Sequence, residues 1–262
     1  MYRLDPVGTK FYVPLSVVER IAGVIFYLAA ALSIAVVWIE PSSQPKVYGA
    51  VQTSFVVSVI VYFICGIVIK THFSARAHDN RIADFVSNAF SVPLLVETSK
   101  GYYNSFGDDY FVRMGSSVLE NALFTKSIVS KMLVEERLRC ALYLIAWLGA
   151  VVYRSTDLQL VATAAQVLFG EQVLSRYIRM EWLRGKVERV YDDLYNLFRS
   201  APDPANKDFK AQVVREMILY ETAKAQAAIS VSSRIFYKLN AKLGQEWAKT
   251  RNQLGVPPST AG

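Results

Sequence analysis

The chain has 262 residues, 53% of them hydrophobic and only 19% charged, and the apolar residues come in blocks, which is how a chain that lies partly in lipid is written and not how a soluble globule is. Its net charge of +7 gathers after Lys70 and between Arg137 and Arg189, beside those blocks, as expected for membrane flanks or for an acidic small ligand rather than a nucleic-acid polymer. Cys65 and Cys140 both sit inside apolar blocks and exclude a disulfide framework, and the two histidines, His72 and His78, leave no metal-ligand cluster.

Residues 1–20 read as a polar, cytoplasmic N-terminus. Residues 21–39 carry no charge between Arg20 and Glu40 and, at ~1.5 Å per residue, nearly cross a ~30 Å hydrocarbon layer. A transmembrane helix is expected there; a signal peptide cut near Ala29-Ala30-Ala31 is the rival, but the apolar run continues well beyond those residues. Pro41-Ser42-Ser43-Gln44-Pro45 forces a turn, and a second uncharged run, 47–69, closes at Lys70, so 21–70 reads as a transmembrane hairpin. Arg3, Lys10 and Arg20 before it and Lys70, Arg76 and Arg81 after it, against Lys46 alone in the turn, put both ends in the cytoplasm. Trp38 and Tyr48 fall at the outer interface, and small residues four apart (Ala29 and Ser33, Ala31 and Ala35, Ser54 and Ser58) permit close packing within the hairpin or between subunits.

Residues 71–136 are too charged for lipid and read as a cytoplasmic helical segment, with Ile82, Phe85, Val86 and Phe90 on one helical face and Phe111, Met114, Val118, Leu119 and Leu123 on another. Residues 137–171 hold two shorter apolar runs, 140–153 and 158–170, around Arg154-Ser155-Thr156-Asp157; each reaches ~21 Å or less. Basic flanks at Arg137, Arg139, Arg176 and Arg179 repeat the logic of the first hairpin and favour a second membrane pair, with snorkelling or thinning absorbing the mismatch, over a buried soluble hairpin. Residues 172–251 read as a cytoplasmic helical pair. Its first member carries the stripe Val173, Tyr177, Met180, Val187, Tyr191, Leu194 and Phe198; its second is expected to run unbroken from near Lys207 to about Arg251 with Ala225, Ile229, Ser232, Phe236, Leu239 and Leu243 on one side. Such helices pack as an antiparallel pair or assemble between chains, and 252–262 reads as a disordered tail. The expected fold is thus all-α: a polytopic membrane protein with an N-terminal transmembrane hairpin, a second shorter apolar hairpin and long cytoplasmic helices.

No nucleophile motif, phosphate-cradling glycine loop or metal-ligand spacing occurs, so neither an enzyme nor a cofactor is expected. Asp79 and Asp84 near His78 read as a solvated face rather than an acid–base site. Gln159, Thr163 and Gln166 share one helical face of an apolar run, where they either hydrogen-bond between helices or line a polar path in an oligomer.

Gly101-Tyr102-Tyr103-Asn104, Leu119-Glu120-Asn121 and Ser233-Arg234-Ile235-Phe236-Tyr237-Lys238-Leu239-Asn240 with Trp247 resemble strings of the SMODS-associated four-transmembrane family of bacterial cyclic-oligonucleotide defence, and the layout is similar over most of the chain. The resemblance implies an anti-phage effector that oligomerises and permeabilises the inner membrane when a partner nucleotidyltransferase makes a cyclic oligonucleotide. On that view Arg76, Arg81, Lys100 and Arg113 are candidate ligand contacts, with Tyr102 and Tyr103 placed to stack on bases. The rival is a membrane scaffold without a pore that recruits partners through its C-terminal helices.

Overall fold

A computed structural model of the chain describes residues 4–100, 102, 109–152, 171–200 and 203–256. Among them the fold is all-α, without a strand, and the only extended pairing is an antiparallel bridge between Leu4 and Lys100. The chain divides into two compact units: residues 1–12, 75–133 and 179–262 form unit 1, and residues 13–74 and 134–178 form unit 2.

Unit 2 contains helices α1 (Val13–Trp38) and α2 (Pro45–Val68), which pack against each other. At 26 and 24 residues they are about 39 and 36 Å long, enough to cross a bilayer. The turn between them is made by Glu40: its carbonyl accepts from Gln44 N at 3.1 Å and Ser43 Oγ at 3.2 Å, and its carboxylate accepts from Ser42 Oγ at 2.9 Å. Pro45 then starts α2 at a position where its missing N–H costs nothing. The buried positions of α1 are Leu15, Ala22 and Ala29, seven apart, while Val17, Ile21, Val24 and Leu28 are uncovered. Only 11% and 6% of the most apolar stretches of these two helices is buried, whereas the core helix of a soluble protein would be mostly covered. The chain therefore has two helices long and apolar enough to cross a membrane. A second cluster in unit 2 brings Phe26 of α1 together with Cys140, Tyr143, Trp147, Val173 and Tyr177, with Cys140 Sγ donating to the Val173 carbonyl at 3.7 Å.

Unit 1 is built from α3 (Ala75–Phe90), the first part of α4 (Tyr110–Val152), α5 (Arg176–Arg199), α6 (Lys207–Ala227) and α7 (Ser233–Gln253). Asp109 caps α4, taking the amides of Phe111 at 2.8 Å and Val112 at 3.0 Å. The core is apolar and close-packed: Val118, Leu119, Leu123, Val129 and Leu133 of α4 and Met180, Leu183, Val187 and Leu194 of α5 are almost wholly buried, each contributing about 1.5–3 kcal/mol by its transfer from water.

Three features differ from the sequence-based expectation. Helix α4 runs 43 residues without a break, about 64 Å, straight through the boundary placed at residues 136 and 137; no proline or glycine falls there to stop it. The expected last helix is two. Ala228 adopts a left-handed backbone at φ 47°, and Ser232 caps α7 by accepting from Ile235 N at 3.4 Å, so the β-branched and serine-rich stretch from Ile229 to Ser232 turns the chain instead of continuing the helix. Residues 252–256, read as part of a disordered tail, complete α7: Gly255 sits at φ 65°, its N–H reaches Asn252 O and that of Val256 reaches Arg251 O, a Schellman ending that buries Val256. Short π-helical turns occur at Gly8–Tyr12, Ile69–Ser74 and Glu171–Ser175, at or within a few residues of where the chain passes from one unit to the other. Of the second apolar hairpin, residues 137–152 belong to α4 and residues 153–170 lie outside the described residues.

Candidate functional site

Helix α3 is amphipathic, and its buried face carries Ala77, Asp84, Phe85, Ser87 and Ala89. The two polar members of that face organise the loop that follows. Ser87 Oγ donates to Ala83 O at 2.7 Å and accepts from Leu94 N at 3.0 Å, while the buried Asp84 carboxylate accepts from Ser99 N at 2.8 Å and Ser99 Oγ at 2.6 Å. Residues 91–100 are thereby pinned back along α3 at Leu94 and Ser99.

Between this loop and the start of α4 lies an open groove of about 300 Å³, with Ser87, Asn88, Ser91, Thr98 and Ser99 along its lining and Arg113 reaching in from α4. Among the described residues no carboxylate lines it. Arg113 Nη1 donates to Ser91 Oγ at 2.9 Å, its guanidinium sits 5.2 Å from the centre of the Tyr110 ring, and its buried Nε has no hydrogen-bond partner among the described residues. Ser91 is the residue that ends α3, at φ 56°, with Val92 N bonded to Ser87 O at 3.1 Å. Glycine is the usual occupant of such a position because a Cβ is strained there by about 1 kcal/mol. A serine that accepts this strain and uses its hydroxyl to hold Arg113 makes the groove a positioned guanidinium amid hydroxyls and amides, the chemistry that takes a phosphate or another oxyanion. The N-terminus of α4 adds nothing to it, since Asp109 already occupies the free amides.

A separate cluster surrounds Arg81. Its Nη2 meets Asp5 Oδ2 at 3.0 Å, its Nη1 lies 3.6 Å from Asp84 Oδ2, and its guanidinium stacks 4.4 Å from Tyr102 and 5.3 Å from Tyr12. Asp5 in turn accepts Gly8 N at 2.8 Å, so Arg81, only 11% exposed, fastens the N-terminal segment to α3. A third polar group joins α3, α4 and α6. His78 Nδ1 lies 3.8 Å from Glu221 Oε2, Lys224 Nζ donates to Glu221 Oε1 at 2.8 Å, and Tyr220 and Thr125 share a hydrogen bond at 2.8 Å. Burial pushes the His78 imidazole below its usual range against the pull of Glu221, and pushes the Tyr220 phenol up. Burial also works against the Lys224 charge, but Tyr220, Glu221 and Tyr12 outweigh it and hold the ammonium above the ordinary lysine range.

The residues singled out from the sequence thus fall in different places. Arg113 lines the groove. Arg81 and Tyr102 are together, with two carboxylates on the same guanidinium. Arg76 is exposed, its guanidinium 5.9 Å from the Phe11 ring, and Lys100 is exposed, with its backbone in the bridge to Leu4. Tyr103, Gln159, Thr163 and Gln166 lie outside the described residues. Sequence reasoning missed Ser91, Thr98 and Asn88, although the end of the apolar face at Phe90 followed by Val92-Pro93 is a stop signal that could have pointed to Ser91. No group of three or more His, Cys, Asp or Glu able to hold a metal converges among the described residues. Comparison of the chain with family models, curated proteins and solved structures gives no match.

Proposed function

We propose that this protein is a ligand-gated membrane effector of bacterial anti-phage defence: unit 1 faces the cytoplasm and senses a cyclic oligonucleotide, and the apolar helices of unit 2 oligomerise in the inner membrane and permeabilise it. Both termini are cytoplasmic in this reading, and the second apolar hairpin joins the first in the bilayer. The observation that carries it is the groove: a guanidinium held by Ser91 and Tyr110, with no carboxylate among the described lining residues, in a chain that also has two uncovered apolar helices. Its volume, about 300 Å³, is at the small end for ligand sites, so it takes one phosphate-bearing unit while the rest of the ligand lies in the open mouth. Binding that favours one of two helix arrangements shifts the population toward it, which is all that gating requires.

The scaffold reading needs free apolar faces on the C-terminal helices. Met180, Leu183, Val187, Leu194, Val213 and Trp247 are buried inside unit 1, and the apolar residues these helices leave exposed, Trp182, Ile218, Leu219 and Tyr237, are what that reading has to rest on. The test is calorimetric titration of the detergent-solubilised full chain with a panel of cyclic di- and trinucleotides. One member should bind the wild type, and Arg113→Gln should weaken it about 10- to 100-fold, the worth of a charge-assisted hydrogen bond. Binding unaffected by Arg113→Gln would remove the groove from the account.

A further inference from the structure

In unit 2, the apolar stretch of α4 begins at a buried carboxylate. Glu136 is 5% exposed, and its two oxygens are occupied by two arginines: Arg139 Nη1 lies 3.1 Å from Oε1 and 3.0 Å from Oε2, and Arg176 Nε lies 3.0 Å from Oε1. Both guanidinium groups therefore converge on one oxygen. Two cations so close repel each other and would ordinarily splay into solvent; the carboxylate between them holds the pair in one geometry and leaves it one positive charge in excess. Each guanidinium spends a single nitrogen on Glu136, and the side chains are 40% and 32% exposed, so the remaining N–H donors of the fork stay accessible.

What surrounds the pair indicates the kind of anion. Leu138, Leu142 and Ile145, spaced by four and three, form a single uncovered face of α4, at 63%, 60% and 67% exposure. Ile178, two residues beyond Arg176, is 55% exposed. A free phosphate has no use for this apolar face, whereas a phospholipid covers it with acyl chain while its phosphate meets the arginines. We propose that Arg139 and Arg176, set by Glu136, clamp the phosphate of an anionic phospholipid whose tails lie along Leu138, Leu142 and Ile145. The surplus positive charge selects phosphatidylglycerol or cardiolipin over phosphatidylcholine, whose choline cation the same guanidiniums repel. The site rests on unit 2 lying in the bilayer and is independent of any ligand in unit 1.

The test is lipid retention by the full-length protein in mild detergent, read by native mass spectrometry and by the lipid-induced rise in thermal midpoint. Wild type should retain phosphatidylglycerol at least tenfold better than phosphatidylcholine, and inorganic phosphate should raise no midpoint. Arg139→Gln and Arg176→Gln should each cut that retention about tenfold, and Arg176→Lys, which keeps the charge but loses the fork, should fall with them. Glu136→Gln separates geometry from charge: the clamp predicts weaker retention, a merely basic surface predicts tighter. Arg234→Gln, on α7 of unit 1, serves as the charge control and should change nothing. Equal retention in wild type and both arginine variants, or a response to phosphate matching that to phosphatidylglycerol, would overturn the clamp. A protein soluble without detergent that retains neither lipid would instead overturn the membrane reading beneath it.

Discussion

Replacing Gly115 with alanine should destabilise unit 1, although alanine is the better helix former by about 1 kcal/mol. Gly115 lies in α4, and a Cβ placed there would come within 2.9 and 3.0 Å of the Phe198 ring and 3.1 Å of Val213 Cγ2. Neither neighbour can easily retreat: Val213 is fully buried, and Phe198 stacks edge-to-face on Phe209 with ring centres 5.8 Å apart. Overpacking of this kind costs about 1–3 kcal/mol, so the net effect of Gly115→Ala is a loss of roughly 0–2 kcal/mol. Gly185 of α5 is the matched control, exposed and with nothing within 4 Å of its added Cβ, so Gly185→Ala should keep most of the ~1 kcal/mol gain. Measured as thermal midpoints of the full chain in detergent, the order should be Gly185→Ala, wild type, Gly115→Ala, with about 2–4 °C for each kcal/mol. Gly115→Leu should fall below all three. A Gly115→Ala midpoint equal to that of Gly185→Ala would refute the close approach of α5 and α6 to this turn of α4.

Two further substitutions probe the groove and the core. Ser91→Gly should raise the midpoint by relieving about 1 kcal/mol of left-handed strain, yet weaken anionic ligand binding because Arg113 loses its hydroxyl anchor; a calorimetric titration beside the melt separates the two. Glu216 is 3% exposed, with Oε1 2.7 Å from Arg215 Nη1 and Oε2 without a hydrogen-bond partner among the described residues, and burial pushes its carboxyl above the ordinary value of 4.5. A carboxyl raised in the folded state favours folding fully below 4.5 and loses that contribution as pH climbs through the folded value, so Glu216→Gln should stabilise the protein at pH 8 by more than at pH 5. Midpoints that differ by the same amount at both pH values would contradict it.

How much of this was legible in the residues depended on distance along the chain. The two long apolar helices followed from uncharged runs between Arg20, Glu40 and Lys70, a purely local signal, although α1 begins at Val13, earlier than the run itself, because a helix does not stop where its charges start. The stripe from Met180 to Phe198 was readable because its spacing is helical: Met180, Val187, Leu194 and Phe198 are buried, whereas Tyr191 is half-buried. The break after Ala227 was not, since the apolar spacing through Ile229 and Phe236 outweighed the weaker turn tendency of the serines between them. Arg81 read as a membrane-flank cation and a candidate ligand contact because its partner Asp5 is 76 residues away, and no local pattern announces such a pair. Arg113 and Ser91 are 22 residues apart, and only the folded chain shows that one holds the other. Gly115 carries no signal at all until Phe198 and Val213 arrive from α5 and α6.

The central claim is that an anionic ligand taken up in unit 1 opens a path through the membrane. It is tested most directly by dye release from liposomes that carry the inserted full-length protein, with and without cyclic di- and trinucleotides, for wild type and Arg113→Gln. The account predicts release triggered by one nucleotide in the wild type and lost in the variant at equal insertion; no release across the whole panel from protein shown to be inserted would contradict it.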